Sequence, residues 1–183
     1  MKKGVIIILA ILVVGAIVCA VIANNQSKQA EEPMLPGMAN PLTELASSAE
    51  LAEATGVNLE APDGSSDVAY ISIDMGDGSK IADVRFTLDG VNYVYRAIVT
   101  GATALEDCED ISGNYSEWSA TALVDIEGRN GKYYRTKSCE DSRVEWLDVV
   151  PGVFYNLSAE GKIDEEDLLD LAKTIFVPMQ GEV

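Results

Sequence analysis

The sequence predicts an α+β protein: an N-terminal transmembrane helix, then a mostly antiparallel sheet of about six or seven strands with two helices on one face. Three observations support this prediction. Residues 4–23 form a run of twenty uncharged, mostly aliphatic residues. After residue 67, apolar residues recur at every second position in several segments, which is the period of a strand. Two other segments carry the start and stop signals of helices.

The apolar run Gly4–Ala23 predicts a membrane-spanning helix. At about 1.5 Å per residue, a helix of this length is about 30 Å long, which is the thickness of the hydrocarbon core of a bilayer. Lys2 and Lys3 directly precede the run, and basic residues beside a span stay on the cytoplasmic side. The sequence therefore predicts a single-pass protein of the cell membrane whose C-terminal domain is extracytoplasmic.

Processing of this helix has three possible outcomes. The helix can remain as an anchor, or cleavage after Ala23, with Val21 and Ala23 as the small residues that signal peptidase reads, can release a secreted domain. Lipidation at Cys19 is disfavoured because Val18 is too bulky for the small residue required there. Signal peptides have apolar cores of about 7–15 residues. Because this run is longer, an anchor is the preferred prediction.

The composition divides the chain into four parts. The segment after the helix is polar, contains Pro33 and Pro36 and lacks a period, as is typical of a linker. The length of the remaining chain suits one globular domain. The predicted parts are a membrane anchor, a juxtamembrane linker, an extracytoplasmic α+β domain and a tail, at residues 1–23, 24–39, 40–178 and 179–183.

Two segments of the domain predict helices. The first has Ser47 as its N-cap and Glu50 three residues later, which together form a capping box. It ends at Gly56, a residue type that is common at helix C-termini. The second begins after Asp164 with three acidic residues, which suit the positive end of a helix dipole. Its apolar stripe consists of Leu168, Leu171, Ala172 and Ile175.

The chain between these helices predicts the sheet. Its strands are expected at about residues 68–74, 81–88, 91–99, 118–126, 132–138, 143–149 and 153–157. Turn signals stand between several of them, at Asp77-Gly78, Asp89-Gly90, Asn130-Gly131 and Pro151-Gly152. Short turns connect antiparallel neighbours, so the sheet is expected to be mostly antiparallel.

The composition also excludes several classes of function. The chain carries a net charge of −17, and without Lys2 and Lys3 it has 11 basic and 30 acidic groups, or −19. A surface this acidic repels phosphate backbones and anionic lipid headgroups, so we expect no nucleic-acid partner. The chain contains no histidine. This excludes Ser-His-Asp and Cys-His catalysis, His-ligated zinc and pH sensing by imidazole.

Several motifs together resemble those of a bacterial family. They are Asn40-Pro41-Leu42, Gly56-Val57, Lys80–Phe86, Glu109–Tyr115, Gly131–Tyr134 and the final helix with Ser158 and Glu165–Leu168. In these motifs the chain is similar to an extracytoplasmic domain of unknown function that is common in Gram-positive gut bacteria. That domain typically follows a membrane anchor or an anti-sigma-type segment. The resemblance covers residues 40–176 and implies an α+β fold at the cell envelope, with no established activity or catalytic residues.

Cys108 and Cys139 are the cysteines outside the membrane segment, and export would place them in an oxidising compartment. A structural disulfide between them would close a loop of about thirty residues and stabilise the domain by about 3–4 kcal/mol. Free buried thiols and a redox-active pair are the alternatives. Acidic residues surround both cysteines, and negative neighbours suppress the reactive thiolate, which makes redox catalysis the least favoured alternative.

The acidic residues beside these cysteines are a candidate metal site. If the disulfide forms, it draws six carboxylates together, and Ca²⁺ prefers several oxygen ligands. The alternative is that these side chains point into solvent from two loops. Their spacing matches no calcium-binding loop, so no metal and no cofactor are expected. The six residues are Glu106, Asp107, Glu109, Asp110, Glu140 and Asp141.

Aromatic residues at strand spacing permit either a ligand groove on the sheet or ordinary packing. Core and cross-strand packing is the preferred interpretation, because such pairs stabilise sheets generally. The residues are Tyr93, Tyr95, Trp118, Tyr133, Tyr134 and Trp146.

The leading functional hypothesis is a non-enzymatic, membrane-anchored binding or accessory module of the cell envelope. Its partners would be the membrane, through the helix, and an envelope protein or small ligand of unknown identity. One alternative is a carrier or sensor that cradles an apolar molecule between the sheet and the helices. A second is a hydrolase that uses paired carboxylates, although a domain of this size has little room for a substrate cleft beside its core.

Overall fold

The computed structural model describes residues 40–138 and 140–179, which form an eight-stranded sheet and two helices. The fold is α+β, as predicted. A short 3-10 helix, Leu105–Asp107, lies between β4 and β5. The strands are β1 Leu42–Leu45, β2 Ser66–Asp74, β3 Lys80–Leu88, β4 Val91–Val99, β5 Trp118–Ile126, β6 Arg129–Thr136, β7 Asp141–Asp148 and β8 Val153–Glu160; the helices are α1 Ser48–Thr55 and α2 Glu165–Ile175.

The strand order across the sheet is β1-β2-β3-β4-β8-β7-β6-β5, and every neighbouring pair is antiparallel. The sheet thus consists of two four-stranded meanders that meet where β4 pairs with β8. The prediction of six or seven strands was too low by at least one, because β1 escaped the sequence pattern. This strand has four residues, and three of them are exposed, so it lacks the alternation by which the others were predicted.

The turns were predicted correctly at one hairpin and wrongly at another. Asp89-Gly90 joins β3 to β4 with positive φ at both residues, 51° and 79°. The predicted Asn130-Gly131 turn is instead part of β6. Glu127 and Gly128 make this turn, with φ of 50° and 80°, the conformation that a two-residue hairpin requires.

Both helix starts lie where the sequence placed them. Ser47 Oγ accepts a hydrogen bond from the Glu50 backbone N–H at 3.3 Å, and the Glu50 carboxylate accepts one from the Ala46 N–H at 3.0 Å. The first helix ends at Gly56, whose φ is 76°. Asp164 occupies the N-cap position of α2 without a side-chain capping bond, so the acidic first turn stabilises that end through charge alone.

Both helices pack on one face of the sheet, over a continuous apolar core. Leu51 of α1 and Leu168 and Ala172 of α2 are fully buried there. At the centre, the Trp146 ring stacks on Tyr155 at 5.2 Å and meets the edge of Phe176 at 5.7 Å. The predicted aromatic packing is therefore found on this face for four residues, which are Tyr93, Tyr95, Tyr133 and Trp146.

The connection between β4 and β5, residues 100–117, packs against the opposite face of the sheet. Ile111 from this connection forms a second, smaller core with Ile81, Leu147 and Phe154. This face of the sheet is therefore apolar where the connection covers it and strongly polar across its central strands.

The predicted membrane anchor and linker lie outside the described residues. Among residues 40–138 and 140–179, neither helix has the length and apolar character needed to cross a bilayer. The anchor at Gly4–Ala23, cleavage after Ala23 and the extracytoplasmic location therefore stay predictions.

Candidate functional site

The segment Glu109–Tyr115, here called the strap, is attached to the polar face of the sheet by two arginines. The Arg96 Nη1 donates to the Ile111 carbonyl oxygen at 2.9 Å. The Arg143 Nη1 donates to the Asp110 carboxylate at 2.7 Å and to the Ser112 hydroxyl at 2.6 Å. The strap is thus held at three successive residues, by one backbone and two side-chain acceptors.

Arg143 contacts two aromatic rings that meet each other edge-on. Its guanidinium carbon is 4.6 Å from the centroid of Trp118 and 4.4 Å from that of Tyr134. The residue is 5% exposed, so these cation–π contacts are largely desolvated and correspondingly strong. Trp118 and Tyr134 thus serve on this face as supports for an arginine, whereas the other four aromatic residues belong to the helix-covered core.

Charged and polar side chains form a continuous row across five strands of this face. Each residue of the row lies directly opposite the next one on the neighbouring strand. In order across the sheet, the row is Asp83, Arg96, Asn156, Glu145 and Lys132. Opposite charges at adjacent positions attract one another across a sheet. The fully buried Asp83 bonds Arg96 at 2.8 Å.

The two carboxyl groups that contact Arg143 have pKa values shifted in opposite directions. Burial raises the pKa of Glu145, and the hydrogen bond from Tyr134 and the positive charge of Arg143 offset this only in part. Burial also raises the pKa of Asp110, but hydrogen bonds from Arg143 and Ser112 outweigh it and leave a value below normal. The Tyr134 hydroxyl donates a short hydrogen bond to Glu145, and its own pKa is raised, mainly by burial.

A carboxyl pair with divergent pKa values is the pattern of acid–base catalysis. Here, however, both carboxylates contact one guanidinium, and Glu145 is only 8% exposed. The arrangement therefore acts as a clamp that fastens the strap to the sheet, and it leaves Glu145 little access to a substrate.

The predicted cysteine and acidic sites are only partly described. The Cys108 thiol contacts the Ala104 carbonyl oxygen at 3.7 Å. Burial raises its pKa, and the nearby carboxylates of Glu145, Asp107 and Glu106 raise it further, which opposes thiolate chemistry. Cys139 lies outside the described residues, so the disulfide stays a prediction.

The six carboxylates of the candidate acidic cluster have different surroundings. Asp110 bonds Arg143, and Asp141 accepts a hydrogen bond from Ser116 at 3.5 Å. The side chains of Glu106, Asp107, Glu109 and Glu140 are exposed. In the described part of the chain, no three acidic or thiol side chains are placed to hold a metal ion.

An open groove of about 630 Å³, here called the corner groove, lies where the connection passes the end of the sheet. It is formed by residues 103–106, 123–124, 128–131 and 147–150. Three aliphatic side chains at its border are exposed to solvent: Leu123 by 87%, Val149 by 52% and Val150 by 84%. Clustered apolar exposure of this kind is typical of an interaction site.

No pattern in the sequence predicted the corner groove. A usable signal was present in Val149-Val150, two apolar residues that directly precede the predicted Pro151-Gly152 turn. Leu123 carried no comparable signal, because an apolar residue in an alternating strand can face either side of the sheet.

The chain was compared with protein-family models, with curated proteins and with solved structures, and none of them matches it. Its function must therefore be inferred from the sequence and the geometry described above.

Proposed function

We propose that this chain is a membrane-anchored, extracytoplasmic binding module of the cell envelope without enzymatic activity of its own. The apolar run Gly4–Ala23, the preceding lysines and the resemblance to envelope-associated domains support the location. The observation that carries the binding role is the corner groove. A partner would bind there, while the polar linker would give the domain reach from the membrane.

The exposed side chains of the corner groove provide a source of affinity for a partner. Complete burial of an aliphatic side chain contributes about 1.5–3 kcal/mol. Leu123, Val149 and Val150 are more than half exposed, so a partner that covers all three gains several such contributions. The scaffold around them is firm, because Leu147 belongs to the second core and the Thr100 N–H bonds the Gly152 carbonyl at 2.7 Å.

The two alternative functions have less support in the geometry. A carrier needs room for an apolar molecule between the sheet and helices, but that space holds the packed rings of Trp146, Tyr155 and Phe176. A hydrolase could use Glu145 and Asp110, whose pKa values diverge. Both are engaged by Arg143, so hydrolysis would first require the strap to move.

Site-specific photo-crosslinking in cells tests the proposal. A photoreactive amino acid at position 150 of the anchored protein should crosslink to one defined envelope component. The same group at Glu53, which is exposed on α1, is the matched control and should give no such product. Equal crosslinking patterns from the two positions, or none from position 150, would argue against a binding site in the corner groove.

A further inference from the structure

The two edges of the sheet are protected very differently. The edge strand β1 has four residues, contains Glu44 and follows Pro41. Short length, charge and nearby proline are the devices by which proteins block unwanted strand pairing. The other edge strand, β5, has nine residues, and its stretch Trp118–Val124 contains neither a charge nor a proline. In the described part of the chain, β5 pairs with β6 alone.

The register of the hairpin shows which peptide groups of β5 face outward. Ile126 and Arg129 close the two-residue turn, and a closing pair of this kind exchanges both of its hydrogen bonds. Bonded and non-bonded pairs then alternate along the strand. The N–H and C=O groups of Thr121, Leu123 and Asp125 therefore point to the open edge, where they can bond another strand.

Charge around this edge favours a particular kind of strand. Glu106, Asp125 and Glu127 are exposed beside the corner groove. The nearby Arg129 is already paired with Asp148 at 3.3 Å. The region thus combines an apolar groove with three exposed carboxylates, next to Lys132, which lies directly opposite Leu123, and it lies on a chain of net charge −17.

We infer that β5 binds an extended peptide segment of alternating apolar and basic residues, which adds to the sheet as a ninth strand. This inference rests on the proposed binding function and specifies its partner. A strand at the usual spacing of about 4.8 Å would send every second side chain to the face that carries Leu123. Asp125 is two residues from Leu123 and therefore lies on the same face of β5, and Glu106 borders the groove beside Leu123. Basic side chains on this face reach these carboxylates and lay their aliphatic stems on Leu123, while apolar side chains on the opposite face pack beside Val124.

A second copy of the chain fits this edge less well. Two β5 strands would satisfy each other's backbone groups, but each copy carries a net charge of −17 and brings its own Asp125 and Glu127. Mutual repulsion would weaken such a dimer at low salt. A basic segment has the opposite dependence on salt and binds more weakly as salt screens the attraction.

Peptide titration of the full-length protein in detergent micelles tests the inference. The probe is a blocked peptide of alternating lysine and valine, seven residues long. Two controls have glutamate in place of lysine, or N-methyl groups on alternate amides that remove the edge-facing donors. We expect the lysine–valine peptide to bind at least tenfold more tightly than either control, and more weakly as salt is added.

Two variants connect this binding to β5. Thr121→Pro removes an outward N–H without removing a bond to β6, so it should weaken peptide binding at least tenfold while the protein stays folded by circular dichroism. Thr121→Ala keeps the N–H and should bind as the parent does. Should Thr121→Pro unfold the protein, the parent protein tests the same backbone contacts, because it should bind the N-methylated peptide more weakly than the unmethylated one.

The outcomes separate this inference from the proposed function. Strand addition by a basic segment would be overturned by equal binding of the lysine and glutamate peptides or by a dimer that salt stabilises. It would also be overturned if a photoreactive amino acid placed at position 123 crosslinked to another segment of the same chain. If the crosslinks from position 150 to an envelope component persist in that case, the binding function stands and its partner uses another mode. Failure of the crosslinks at position 150 removes the binding function itself.

Discussion

Replacement of Asp83 by alanine should be among the most destabilising single changes on the polar face. The carboxylate is fully buried and accepts bonds from Arg96 at 2.8 Å and from Arg85 at 3.1 Å. The Arg96 side chain is only 13% exposed, so Asp83→Ala leaves it as a buried, unpaired charge. Removal of one partner from a buried ion pair costs about 3–5 kcal/mol. Because Arg96 also bonds the Ile111 carbonyl, part of this loss should appear as loosening of the strap.

Denaturant unfolding of the full-length protein in micelles, followed by tryptophan fluorescence, measures this loss. Arg85→Ala is the matched control, because the Arg85 side chain is 44% exposed and exposed ion pairs contribute about 0–1 kcal/mol. Asp83→Ala combined with Arg96→Met should recover part of the stability, since it removes both charges. A loss below about 1 kcal/mol for Asp83→Ala, or one equal to that of Arg85→Ala, would refute this reasoning.

Three further predictions concern the strap, the sheet and the cysteines. Asp110→Asn should cost about 1 kcal/mol, a value reduced for its partial exposure. Because the folded pKa of Asp110 is lowered, its contribution is complete above the ordinary value of 3.8 and disappears as the pH falls through the lowered one. Hydrogen exchange of strap amides in the parent and the variant at pH 7 and pH 3 measures this, and a difference that does not shrink between the two pH values contradicts it. Gly131→Ala should lower the free energy of unfolding by about 1–3 kcal/mol, because a Cβ there would lie 2.9 Å from the Glu145 carbonyl oxygen. Gly101→Ala is the control in the same unfolding assay and should be neutral, because a Cβ at that position has no neighbour within 4 Å. If Cys108 and Cys139 are bridged, peptide mass spectrometry after alkylation should find labels on these two cysteines only after reduction. Labelling of Cys108 or Cys139 without reductant rules the disulfide out.

Local signals in the sequence were sufficient for the helices and for most of the strands. The capping box at Ser47 and the Asp89-Gly90 turn depend on neighbouring residues, which is why both were predicted correctly. The Asn130-Gly131 turn was wrong because tertiary packing overrode the local preference. Gly131 is needed within β6, where a larger residue would collide with the backbone of β7. The two-residue turn is formed by Glu127 and Gly128 instead.

The candidate sites depended far more on tertiary structure. Trp118, Tyr134 and Arg143 can be read from the sequence, but only the register of β5, β6 and β7 brings them into one cluster. The strap is recognisable in the sequence as a motif, but the arginines that hold it are distant along the chain. Arg96 is 15 residues from its acceptor in the strap, and Arg143 is 31 and 33 residues from its two acceptors. Contacts across such distances are set by strand order, which short periodic patterns do not encode.

By itself, the sequence determined the α+β class, the acidic surface and the exclusion of every histidine-dependent chemistry, because composition and periodicity act residue by residue. The predicted anchor at Gly4–Ala23 has the same origin. The tertiary structure decided which aromatic residues form the core, which arginine holds the strap, and where apolar side chains stay exposed. Those outcomes depend on which face of a strand is covered. That is settled only by the strand order, which places β5 at the edge of the sheet.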